Sequence, residues 1–285
     1  MFDTNNIFNT LLVIPILNVL IGVYKLLLTV GVPGALGLSL IIMTVLIRLL
    51  LNPLMSTQLK STQKLQKLKP ELDLLHAKHK NDKQRLQQEQ LKLYQQAGIN
   101  PAAGCLPLLI QMPILIAIYN LFFRLLNNTD LAQVVAEINK VVYLPILKIN
   151  SLDLSFFGFN LASKPSDWQK LGWWFLAVPV ITGLLQYWQT KLMTPATQKT
   201  DNKEQITSLA GRQAKNKDEK KKDEDMGTVM QKQMSIMMPL MIGFFAYSFP
   251  LGLSLYWNTF TVFGIIQQNK INKQLEAEEN GQNKN

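Results

Sequence analysis

Thr44, Arg48 and Asn52 follow one another at four-residue spacing inside Leu40 to Leu54, a run that is otherwise almost wholly apolar. On a helix that spacing puts all three on one face. A guanidinium stays protonated at any working pH, and at the centre of a bilayer helix it costs about 2.5–3.5 kcal/mol on insertion scales. One reading is that Arg48 snorkels to the near membrane surface, since it lies only four residues before Asn52. The sharper reading is a wet face, where water solvates the charge at rest and a carboxylate on a passing chain pairs with it more strongly than water does. Neutral polar residues recur in the other apolar blocks: Gln111; then Thr182, Gln186 and Gln189 on one face; then Ser254, Asn258 and Thr261 at i, i+4, i+7. Converged in a bundle, these stripes enclose a hydrophilic groove around one positive charge. As helix-to-helix hydrogen bonds alone they are worth about 0.6–2 kcal/mol each, which accounts for Thr and Gln but not for the arginine.

The blocks contain no Asp, Glu or His. A proton relay, an aspartate pair, a zinc site and a Ser-His couple are therefore all ruled out inside them, and Arg48 has no anionic partner at its own depth. No Gly-x-x-x-x-Gly-Lys loop is present, so no nucleotide site is expected. The chain reads as a non-enzyme without cofactor or metal. His76 and His79 lie three apart, but no cysteine is near and the local carboxylates are solvated. Cys105, the single cysteine, reads as a small apolar packing residue.

Apolar residues make up 48% of the 285 positions, an ordinary share, but they are gathered into blocks long enough to span a bilayer. Five transmembrane helices are expected, at residues 33–57, 101–126, 171–192, 233–249 and 252–270; Pro250 and Gly252 divide the last two. Lys60 to Lys92 carries nine basic residues and Lys191 to Lys232 ten, whereas Asn127 to Lys170 balances four basic against four acidic. The basic connections therefore face the cytoplasm and the balanced one faces out, with the N-terminus outside and the C-terminus inside. The net charge of +10 is mainly topological, and nucleic-acid binding is not implied. The fold class is an all-α integral membrane protein.

Residues 58–100 form a cytoplasmic antiparallel helical hairpin. Leu65, Leu68, Leu72 and Leu75 make one seam, Asn81-Asp82 the turn and cap, and Leu86, Leu93 and Ala97 the return. Within residues 1–32, Asn18, Gly22, Lys25 and Thr29 draw a polar line down one side, which suits an outer interfacial helix; a sixth span is the competing reading. The outward loop, 127–170, has no assigned role. Within the charged cytoplasmic loop 193–232, Thr197 to Asp225 is expected to be disordered, and the tail 271–285 is nearly neutral. Met226, Met230, Met234, Met237, Met238 and Met241 lead into the fourth span as adaptable packing or as a soft surface for varied apolar partners.

Several of these stretches resemble the YidC membrane protein insertases and their mitochondrial and chloroplast relatives. They are Thr44 to Arg48 with Asn52-Pro53-Leu54, Asp82-Lys83-Gln84-Arg85, Leu93-Tyr94, and Asn100-Pro101 through Gly104-Cys105 and Pro107 to Pro113. Pro250, Gly252, Leu253, Leu255 and Tyr256 with Gln267-Gln268 complete them. The resemblance covers about Pro33 to Ile271. It implies a five-span core with a groove open to the cytoplasm and laterally to the lipid bilayer, closed on the outer side. The arginine matching Arg48 would draw in a client's acidic outer segment. The third and fifth spans would form the surface along which nascent membrane protein clients leave, with Trp173, Trp174 and Trp257 as slide and anchors. The hairpin would receive clients, and the Sec translocon and translating ribosomes would be partners. The sequence departs from the family in having no large outer domain before the core, no lipobox cysteine and no basic tail, which puts a tail-mediated ribosome contact in doubt. Asn258 also lies earlier than the family's usual asparagine. A channel or transporter using the same stripes as a solute path is the alternative function, and a folding chaperone a third.

Overall fold

The computed structural model describes residues 2–79, 82–98, 106–126, 130–193 and 226–282, and it is mostly helical. A π-helical turn at Asn9–Val13 leads into α1 (Ile14–Thr29). The chain continues through α2 (Ala35–Lys67), α3 (Lys69–Lys78), α4 (Lys83–Gln96), α5 (Leu106–Leu126) and α6 (Leu131–Val141). After α7 (Trp168–Leu171) come α8 (Ala177–Met193), α9 (Met226–Ser248) and α10 (Leu251–Gln282). A two-residue antiparallel pair, β1 (Ser155–Phe156) and β2 (Phe159–Asn160), lies between α6 and α7.

Helix α10 packs against α2, α8 and α5, and α9 packs chiefly on α8. The apolar core gathers at one end of this bundle. Leu36, Leu40 and Met43 of α2 meet Leu121 and Phe122 of α5, Leu253 and Tyr256 of α10, and Leu17 and Ile21 of α1. Away from that core the helices turn large apolar side chains outward, among them Leu50, Phe123, Leu184, Leu240 and Phe244. Such a surface suits hydrocarbon and not water. By length and composition Asn9–Thr29 and Ala35–Ser61 can cross a membrane, while Gln111–Leu126 and Ser235–Ser248 are shorter apolar helices.

Residues 130–176 cap the core. Val134 and Ile138 of α6, then Leu152, Leu154 and Leu161, bury themselves in it. The first amides of α10 have no partner within their own helix, and two of them donate to this segment: Leu251 to the Ser163 carbonyl (2.8 Å) and Gly252 to that of Leu161 (2.9 Å). The loop without an assigned role thus closes one end of the bundle.

The polar line on α1 also faces the cap. Asn18 Nδ2 donates to the Val141 carbonyl (3.1 Å), its Oδ1 accepts from the Tyr143 amide (2.7 Å), and Lys25 Nζ donates to the Lys148 carbonyl (2.7 Å). Asn18 is buried, so Asn18→Leu leaves one carbonyl and one amide of the cap unpaired, at about 1–3 kcal/mol each. The expected outcome is a lower thermal unfolding midpoint in detergent, and an unchanged midpoint would mean that these bonds do not hold α1 to the cap.

Boundaries shift in three places. Helix α2 runs unbroken from the first apolar block through Pro53 to Lys67, past the expected junction at residue 57. Helix α10 continues to Gln282, well beyond residue 270. Helix α8 begins at Ala177 and not near 171, because Gly172 takes a φ of 110° that breaks the chain into a 3-10 turn, Trp173–Leu176.

The hairpin is built by α3 against α4, with the Asp82 carboxylate accepting from the Arg85 amide at 3.0 Å. Leu65, Leu68, Leu72, Leu75, Leu86 and Leu93 are half-buried along it, while Ala97 is exposed. His76 Nε2 is engaged by the Gln90 amide at 2.7 Å. Asn81, Asn100, Pro101, Gly104 and Cys105 lie outside the described residues, as does most of the 193–232 loop.

Candidate functional site: a polar seam around Arg48

The end of the bundle opposite the capped core is where α2, α8 and α10 bring their polar residues together. Arg48 is only 3% exposed. Its guanidinium carbon sits 3.4 Å from the centroid of the Phe260 ring, and Nη2 donates to the Phe260 carbonyl at 2.8 Å. A desolvated cation over an aromatic face gains about 2 kcal/mol, and a hydrogen bond from a charged donor about 1.5–3 kcal/mol. Arg48 Nε has no partner among the described residues. Among the described residues no carboxylate pairs with the guanidinium. In the cap, Glu137 is taken by Lys140, which holds its carboxyl at about 2.

The face expected to stand open is therefore covered, and Phe260 is what covers it. Close approach depends on Gly264: a Cβ there would come within 2.9 Å of Arg48 Nη2 and would collide with the Gln189 amide. Only a hydrogen at that position lets both side chains lie against α10.

The remaining expected residues arrange themselves around this contact. Asn52 is exposed at the mouth, and its Oδ1 accepts from Gln267 Nε2 at 2.7 Å. Gln186 Oε1 accepts from the Trp257 indole at 3.2 Å, tying α8 to α10. Gln111 reaches the Tyr256 hydroxyl only at 3.4 Å, nearer the core. Thr44 and Thr182 are buried, but their hydroxyls are spent on their own helices, donating to the Leu40 carbonyl (2.6 Å) and the Val178 carbonyl (2.8 Å). Trp173 and Trp174 are exposed at the end of the cap segment, while the Trp257 indole is engaged in the seam.

Down α10 a line of shielded polar atoms has no partner among the described residues: Ser254 Oγ, Asn258 Oδ1, Thr261 Oγ1, Gln267 Oε1 and Gln268 Oε1. Leaving a buried polar group unpaired costs about 1–3 kcal/mol, and water or a polar guest chain relieves that cost. Among the described residues the polar groups of this seam are hydroxyls, side-chain amides and the guanidinium, with no carboxylate or imidazole among them.

Arg48 and most of its neighbours were legible in the sequence, whereas Phe260 and Gly264 were not, and Gln267 entered only through the family resemblance. The signal was there: Trp257, Phe260, Gly264 and Gln267 recur at 3-4-3 spacing, and Gln268 falls seven after Thr261. An aromatic ring and a glycine simply do not look like partners of a charge.

The family model described as 60Kd inner membrane protein matches residues 28–279. A membrane protein insertase YidC of Oceanobacillus iheyensis is 33% identical over 248 residues, 85% of this chain and 76% of the relative. The membrane protein insertase MisCA of Bacillus subtilis is 34% identical over 238 residues, 81% of this chain and 68% of the relative. A YidC of Chlamydia trachomatis is 30% identical over 249 residues that make up only 26% of its own length. Matched over nearly its whole length, the chain belongs to the YidC family of membrane protein insertases, which are multi-pass membrane proteins.

Proposed function

We propose that this protein inserts and helps fold small membrane proteins, using the seam around Arg48 as a hydrated half-path for a client's hydrophilic segment. The observation that carries the reading is the row of shielded polar atoms beside Arg48 that have no partner among the described residues, with no carboxylate of those residues paired to the guanidinium, inside helices whose outer faces are apolar. The five spans are the first part of α2, α5, α8, α9 and the first part of α10. The capped end faces outward, the hairpin and the C-terminus face the cytoplasm of a bacterial plasma membrane, and α1 lies along the outer interface. Supporting that placement, α1 contacts the cap at Asn18, Tyr24 and Lys25, and so along much of its length.

No covalent step is involved. The driving force is client burial, about 0.8 kcal/mol per CH₂ removed from water, assisted by the membrane potential, which favours outward movement of negative segments. At rest Phe260 covers the charge; a client's carboxylate displaces that ring because a salt bridge in a low-dielectric seam outweighs a cation–π contact. The Sec translocon and translating ribosomes are partners this reading accommodates, with the hairpin as the receiving element.

Purified protein in sealed liposomes tests the proposal. Protected insertion of a small single-span protein, without leakage of solutes, is the expected result. Selective solute flux in the absence of any client would assign the seam to a channel or transporter instead.

A further inference from the structure

Between α5 and α9, at the capped end, a cleft of about 60 Å³ is lined by Tyr119, Phe122, Phe123, Lys164, Phe249 and Leu253, with Ser248 and Pro250 at its edge. Its walls are a continuous aromatic strip. Tyr119 stacks on Phe123 one turn along α5 (centroids 5.9 Å apart) and reaches across to Phe249, just past the end of α9 (5.9 Å), which stacks in turn on Phe245 of α9 (5.9 Å, 12° between planes). Tyr119, Phe123 and Phe245 are exposed, so the strip faces outward and not into the seam.

Lys164 is the one charged residue on the lining. It comes from the cap, and among the described residues no carboxylate pairs with it. The amides that open α10 beside it are already donated to the Ser163 and Leu161 carbonyls, so the helix start adds a positive field but no free donor. A cation at the surface end and an aromatic track running from it along two membrane helices is the complement of an amphiphile. A free phosphate has no use for the strip, and an apolar client helix has no use for the lysine.

We propose that this cleft is a phospholipid site, with an anionic headgroup's phosphodiester at Lys164 and one acyl chain along Tyr119, Phe249 and Phe245. The proposal needs only that the capped end lie at a membrane surface, and it is independent of how the Arg48 seam works. It also gives the gap between α5 and α9 a filling that neither helix supplies.

Photoactivatable phosphatidylglycerol and phosphatidylcholine, each with a diazirine on the acyl chain, are added in trace amounts to the protein in phosphatidylcholine vesicles, and labelled peptides are identified by mass spectrometry. The expected result is labelling of the peptides bearing Tyr119 and Phe249 about fivefold stronger by the glycerol lipid, the ratio that a single surface lysine gives. Lys164→Glu should bring the ratio to about one and Lys164→Arg should keep it, with unfolding midpoints unchanged in both. A ratio near one in the wild type, or a ratio that survives Lys164→Glu, overturns the proposal. Excess soluble glycerophosphoglycerol should not compete; if it abolishes the preference, the site belongs to a free phosphodiester and the lipid assignment falls.

Discussion

Replacing Arg48 by alanine is expected to slow insertion of clients with acidic tails by roughly tenfold to a hundredfold, the equivalent of losing one charge-assisted hydrogen bond of about 1.5–3 kcal/mol. The figure follows from what the guanidinium does in the seam. Among the described residues its partners are the Phe260 ring and carbonyl, both of which an anion outcompetes, and its Nε is left to donate. Arg48→Lys should be milder, since it keeps a charge at the same depth while losing the planar stack on Phe260. A neutral-tailed client serves as the internal control, because alanine also removes the contact that ties α2 to α10. If the seam merely came apart, both kinds of client would suffer equally, and the unfolding midpoint would fall with them. Equal rates for acidic and neutral tails, in wild type and in Arg48→Ala alike, would remove the electrostatic mechanism altogether. Insertion in proteoliposomes, scored by protease protection, reads all of these outcomes.

How much of this was legible beforehand depends on what kind of contact each residue makes. Arg48 stood out because a charge inside an apolar run has no cheap explanation, and the three polar stripes followed from helical spacing alone. The break between α9 and α10 was written in Pro250 and Gly252. What remained hidden were contacts between unlike residues far apart in the chain. Phe260 and Gly264 are unremarkable as residue types, and their roles appear only when α10 is laid against α2 and α8. The same holds for Asn18: its polar character was read as a preference for the interface, but its partners lie more than a hundred residues away, in a loop without periodicity of its own. A helix runs on past the expected end of its span where composition changes without a breaking residue, as in α2 beyond residue 57 and α10 beyond residue 270. The charge pattern changes there while the helix continues.

The second large effect concerns how α8 is held. Helix α9 packs chiefly on α8, and the two cross at glycines. A Cβ built on Gly243 would lie 3.2 Å from the Pro179 carbonyl oxygen and 3.5 Å from the Cα of Gly183, both of them backbone atoms that cannot swing aside. In hydrocarbon no hydrophobic force pulls helices together, so close backbone approach through small residues is a main source of their attraction. Gly243→Leu must therefore separate the pair, at a cost of about 1–3 kcal/mol for overpacking with the lost van der Waals contact added to it. Gly243→Ala has to gain only a few tenths of an ångström and should cost much less. At Gly183 the nearest atom is the Pro239 carbonyl oxygen, 3.6 Å from a built Cβ, an ordinary contact, so Gly183→Ala should be close to neutral. The expected order of unfolding midpoints in detergent is wild type and Gly183→Ala together, then Gly243→Ala, then Gly243→Leu well below. Because α8 also carries Gln186 and Gln189 into the seam, Gly243→Leu should impair insertion of acidic and neutral clients to the same degree, the opposite of the selectivity expected at Arg48. A midpoint for Gly243→Leu equal to that of the wild type would show that the helices do not meet at these glycines.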